Sequence, residues 1–214
     1  MVQKRYTLKE EIANTISHGL GALLSLIGLI IYIDLAAKHG NREDIISLTV
    51  FGISLILLYS ISALYHGIKE PSAKQFFQKL DHSAIFLLIA GTYTPLILLS
   101  LNGILCWSIL SAIWILALIG IISEVLHFFK SRAWSIVLYI VMGWLAIIVI
   151  KRIAENIPLE SLLLLISGGL FYTIGIIFYI RKKNIYNHAI WHIFVLLGSL
   201  SHYLCILTIF LNKC

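Results

Sequence analysis

Residues 105–127 read LCWSILSAIWILALIGIISEVLH, and from Leu105 to Ser123 no side chain carries a charge. At about 1.5 Å of rise per residue, that run as a helix nearly crosses a hydrocarbon core of roughly 30 Å. It reads as a membrane span, and six further stretches of similar character flank it, so seven spans are expected near 16–37, 45–67, 81–101, 105–127, 134–151, 159–180 and 189–211. The fifth is the shortest, with its end near Lys151 and Arg152 the hardest to place. Composition agrees: 60% of 214 residues are hydrophobic and 12% charged, with mean hydropathy +0.96, outside the range of water-soluble domains. The expected fold is therefore all-α: a single domain over 1–214, built as a seven-helix transmembrane bundle. The segment around 68–80 has room only for a brief surface element.

Charge sets the expected orientation. Lys4, Arg5, Lys9, Lys69, Lys74, Lys79, Lys130, Arg132, Arg181, Lys182 and Lys183 fall on one side, and only Lys38, Arg42, Lys151, Arg152 and Lys213 on the other. The richer side is cytoplasmic by the positive-inside rule, so the N-terminus is expected inside and the C-terminus outside. The first stretch ends at no small-residue cleavage site and reads as a retained span rather than a secretion signal. A net charge of +6 suits anionic headgroups. No basic run is interleaved with stacking aromatics, so nucleic acid is not an expected partner; membrane lipids are, and no protein partner can be inferred. Cys106, Cys205 and Cys214 are too scattered for a disulfide framework or a thiolate metal site.

Against this apolar background three polar motifs stand out: Ser62-Ala-Leu-Tyr-His66, Leu80-Asp81-His82, and His188-Ala-Ile-Trp-His192. Ionisable groups are costly near lipid and are kept there for metal binding, proton transfer or ligand recognition. The expected topology brings all three motifs to the cytoplasmic end. His188 and His192, four residues apart, share a helix face, a spacing that zinc sites on helices use. His66 at matching depth supplies a third nitrogen and leaves a fourth position open, as in catalytic zinc sites; iron, copper or nickel are compatible with the same donors. Asp81 reads either as the N-cap of the third span or as a carboxylate able to orient or deprotonate a water. Ser62, one turn before His66, either supports the site or bonds the carbonyl four residues back.

Other polar groups crowd the same end. Glu11, Asn14 and His18 in the first span, and Glu124 with His127 in the fourth, either line a shared cavity or reach toward headgroups. His202 lies ten residues beyond His192, about 15 Å deeper, so it is expected to bond across helices or meet substrate, not the same ion. Gly91-Thr92-Tyr93-Thr94-Pro95 puts a proline inside the third span: a kink could open space there, with Tyr93 as a cavity candidate, or Thr hydroxyls could satisfy the freed carbonyl. Gly19, Gly21, Gly143, Gly168 and Gly169 suit close helix contacts. Trp107, Trp134 and Trp191 are expected as interfacial anchors.

As a set, Ser62xxxHis66, Asp81 in Leu-Asp-His-Ser, His188xxxHis192, Glu11-Ile-Ala-Asn14 and Ala90-Gly-Thr-Tyr-Thr-Pro95 resemble the haemolysin III family, the bacterial branch of the progestin and adipoQ receptor superfamily. The resemblance implies Zn2+ held by His66, His188 and His192, with Asp81 contacting a metal-bound water and Ser62 close by. The superfamily's animal receptors are associated with ceramide hydrolysis, and alkaline ceramidases look similar. The receptors' long cytoplasmic N-terminal domain has no counterpart here, so hormone reception is not implied. Three functions follow as expectations: a zinc hydrolase of a lipid amide or ester in the plasma membrane, a zinc-clasped receptor or regulator, and a pore or haemolysin. A cytolysin must first be soluble, and a channel carries polar residues through both leaflets, which fits this composition poorly.

Overall fold

The computed structural model describes residues 6–128, 132–181 and 185–214, Arg132 by its backbone alone. Lys4, Arg5, Lys130, Lys182 and Lys183, which entered the charge count, lie outside the described residues. Eight α-helices are described: α1 Leu8–His39, α2 Arg42–Gly67, α3 Pro71–Ser100, α4 Gly103–Leu126, α5 Arg132–Gly143, α6 Ile150–Asn156, α7 Leu159–Ile180 and α8 Asn187–Lys213. A 3-10 segment, Leu145–Val149, joins α5 to α6. Among the described residues, seven helical stretches are long and apolar enough to cross a membrane, with α5, the 3-10 turn and α6 making up the fifth.

Two helices start well before their expected spans, and the cause is local capping. Thr7 and Glu10 close a reciprocal capping box at the start of α1, so Glu11 and Asn14 are helical residues and not an approach to the span. The Glu70 side chain accepts from the backbone N–H of Ser72 and Ala73, and Pro71, whose missing N–H costs nothing in the first turn, sets the opening φ of α3. This corrects two expectations. The segment around 68–80 is largely helix, and Asp81 sits inside α3, more than two turns from its cap.

The fifth span breaks where Tyr93 reaches it. The Tyr93 hydroxyl donates to Gly143 O at 3.2 Å and accepts from Ala146 N at 2.7 Å, satisfying backbone groups that the break exposes. Tyr93 thus has a structural task. Pro95 does not end α3, which runs on to Ser100; the Thr92 and Thr94 hydroxyls bond Leu88 O and Ala90 O, not the Gly91 carbonyl freed by the proline.

Antiparallel registers fix what meets what. A Cβ on Gly21 would lie 2.9 Å from the Tyr59 ring, and Asn14 meets His66, so α1 and α2 align with His18 opposite Ser62. Gly91 packs on Ser54, which sets Asp81 level with Leu64, between Ser62 and His66. Gly168 gives the His202 ring its space. A Cβ added at Gly19 or Gly143 would meet open space, so neither glycine is there to let a helix pack against its Cα. Trp107 and Trp134 are exposed, as anchors require, whereas Trp191 packs beside Tyr179 and His188, with ring centroids at 4.8 and 5.1 Å. At the far end, Lys213 pairs with Asp44 at 2.7 Å and ties α8 to α2.

Candidate metal centre

Three imidazoles from two helices converge at the end of the bundle where α1 begins. His66 closes α2, and His188 and His192 occupy the first turns of α8. Each offers one ligand nitrogen, and these atoms lie within 4.8 Å of one another. Nε2 of His66 stands 3.2 Å from Nε2 of His188. Two nitrogens bound to one tetrahedral zinc at about 2.0–2.1 Å lie about 3.3 Å apart, so this spacing needs little change to accept an ion.

Two of the three outer nitrogens have identified partners. His66 Nδ1 donates to Glu11 Oε2 at 2.6 Å. The Ser17 hydroxyl donates to Asn14 O at 2.9 Å, which leaves its oxygen to accept from His192 Nδ1 at 3.0 Å. In both rings the proton is therefore drawn to Nδ1, and Nε2 keeps its lone pair. His192 is fully buried, and its Nε2 has no hydrogen-bond partner.

Orphaned polar atoms collect around the same place. Asn14 Oδ1, both ring nitrogens of His18, Ser62 Oγ and His192 Nε2 are all buried without partners. Leaving such a group unsatisfied costs about 1–3 kcal/mol, and a cluster of them marks a place where an ion, water or ligand completes the bonding. His18 stacks on His192, centroids 3.5 Å apart and planes 12° from parallel. Ser62 does not bond the carbonyl four residues back, unlike Ser25, Thr92 and Thr94 elsewhere in the bundle. The chemistry of the donor set suits zinc: three imidazole nitrogens, with the His66 and His192 tautomers fixed from outside by Glu11 and Ser17.

Asp81 is buried at the same level, 5% exposed. It is not a member of the 4.8 Å group, and its carboxylate has no hydrogen bond or ion pair among the described residues. The remaining candidates are held elsewhere. Glu124 accepts from Ser135 and lies 3.6 Å from His82, in a polar cluster of α3, α4 and α5; His127 is the exposed, left-handed cap of α4. Partly buried His202 donates from Nε2 to Leu165 O at 3.2 Å, an interhelical bond to α7. A cavity of about 790 Å³ lies between α1 and the α2–α3 junction, with Glu11, His66 and Lys74 in its wall.

The sequence reading missed Ser17 and Tyr6. Ser17 carries no motif signal, because its partner is 175 residues away. Tyr6 packs its ring 5.1 Å from His188 and 5.6 Å from His66.

With this geometry in place, the similarities are informative. The haemolysin-III-related family matches residues 6–203. "Hemolysin-3" of Bacillus cereus is 47% identical over 207 residues, 97% of this chain and 94% of that protein. "Hemolysin-3 homolog" of Bacillus subtilis (strain 168) is 46% identical over 202 residues, 94% and 95% of the two chains. The human "Monocyte to macrophage differentiation factor" is 26% identical over 209 residues, 94% of this chain and 84% of its own length.

Proposed function

This chain belongs to the haemolysin III family of multi-pass membrane proteins, and from that premise we propose that it is a plasma-membrane zinc protein that hydrolyses a lipid amide or ester. The observation that carries the reading is the convergence of His66, His188 and His192, with the outward nitrogens of His66 and His192 engaged and the inward His192 nitrogen unpaired. In the proposed orientation the N-terminus is cytoplasmic and the site lies near the inner leaflet, where a lipid enters laterally.

His66, His188 and His192 would hold the ion. Zinc there supplies Lewis acidity, polarising a carbonyl and making water a better nucleophile near neutral pH. The chain's own groups do the rest. Asp81, buried and unpartnered among the described residues, accepts the proton of the attacking water at a carboxylate oxygen and returns it to the departing nitrogen or oxygen. Ser62 and His18, whose polar atoms are unpaired, offer hydrogen bonds to the lipid's polar group. The packed bundle around them excludes bulk water.

A second reading, a zinc clasp joining α2 to α8 in a receptor or regulator without turnover, is favoured by the absence of Asp81 from the close ligand group. Asp81→Asn separates the two. Purified protein in vesicles of bacterial lipid is assayed by mass spectrometry for released fatty acid: the hydrolase reading expects release by wild type and at least a hundred-fold less by Asp81→Asn at equal zinc content. No release by zinc-loaded wild type sinks the hydrolase and leaves the clasp.

A further inference from the structure

Every ligand nitrogen of the candidate centre comes from α2 or α8, yet α1 touches the set at several points. The most developed contact is at Glu11. Its Oε2 accepts from His66 Nδ1 at 2.6 Å, and its Oε1 receives the Lys74 ammonium at 2.8 Å. Lys74 Nζ also donates to Tyr65 O at 2.9 Å and Ile68 O at 3.2 Å, which pins it over the end of α2. The Glu11 side chain is 16% exposed. It faces into the bundle, and both its oxygens are committed; an interfacial glutamate reaching toward headgroups would show neither feature.

We propose that Glu11, held by Lys74, is the outer-sphere carboxylate of the metal centre: a positioning residue that fixes the His66 ring and its tautomer so that Nε2 faces the ion. The physical reason is general. A metal-bound imidazole is a better and better-aimed ligand when its other nitrogen donates to a carboxylate, and losing that partner commonly weakens metal binding 10–100-fold. Ser17 does the same for His192 with a neutral acceptor. First-span residues that supply no ligand thereby tune two of the three, and the motif Glu11-Ile-Ala-Asn14-Thr-Ile-Ser17 gains a purpose that lining a cavity did not give it.

The inference rests on the metal reading above, and its test keeps the two apart. Metal-free full-length protein in detergent micelles is titrated with Co2+, following the visible absorption of the bound ion together with helix content and melting. Glu11→Gln, which keeps shape and removes charge, is expected to lower cobalt affinity 10–100-fold and shift the absorption band with unchanged helix content. Glu11→Asp should recover part of the loss. Lys74→Met, which frees the carboxylate but keeps it, should cost only a few-fold and serves if Glu11→Gln fails to fold. Affinity within twofold of wild type in Glu11→Gln, or in Lys74→Met where that variant stands in, overturns the assignment while leaving the metal site intact; wild type that takes up no cobalt overturns the metal reading itself.

Discussion

His192 and His202 stand ten residues apart on α8, and they have different fates. His202 spends Nε2 on the Leu165 carbonyl, rests in the space left by Gly168 and keeps its own Nδ1 buried and unpaired. His192 spends its outer nitrogen on Ser17, leaves the inner one unpaired and stacks on another histidine. One ring ties two helices together, and the other belongs to the three-histidine group that could hold a metal ion. The difference is not that one ring keeps a nitrogen unpaired, since both do. It lies in what the neighbouring helices bring: α7 offers His202 a carbonyl and a glycine, while α1 and α2 offer His192 a hydroxyl and two more imidazoles.

The sharpest break of that comparison is to remove each ring. His192→Ala is expected to lower zinc affinity at least a hundred-fold, since two nitrogens rarely hold the ion, whereas His202→Leu should retain wild-type zinc content, read by elemental analysis of the purified proteins. Equal losses in the two would erase the distinction. A smaller effect is expected from Gly168→Ala. The new methyl collides with the His202 ring, so about 1–3 kcal/mol of stability should be lost with zinc content unchanged, measured by thermal melting in detergent.

Much of this was legible in the chain itself. Seven spans, their order and the grouping of His66, His188 and His192 follow from apolar run length and from which ends face the same side. What the sequence concealed was capping and register. Asp81 looked like an N-cap because the hydropathy of α3 rises near it; Glu70 and Pro71 start the helix far earlier at no hydrophobic cost. Tyr93 looked like a cavity residue because a kink at Pro95 would open space beside it, yet it answers a break in a different span, about fifty residues on. Glu11 and Ser17 gained roles only when α1 was set against α2 and α8, a relation that no local spacing encodes.

Two further predictions test those readings. Tyr93→Phe removes a donor and an acceptor from the break after α5, and should cost roughly 1–2 kcal/mol in melting without disturbing metal content. The smallest expected effect is at Glu70. Backbone N–H groups of Ala73 and Ser72, then the Ser72 hydroxyl, hold its carboxyl below the ordinary value of 4.5. A depressed folded value means the contribution is present above the ordinary value and fades as pH falls through the lowered one. Glu70→Gln should therefore flatten the acid limb of a melting-against-pH curve slightly; an unchanged limb would contradict the capping role.

The central claim is that imidazoles distant in sequence meet around one ion. X-ray absorption at the zinc edge of the purified full-length protein tests it most directly. The account predicts about one zinc per chain with three imidazole nitrogens at roughly 2.0–2.1 Å, and loss of that signature in His66→Ala. Absence of bound zinc, or a shell without imidazole scattering, would contradict it.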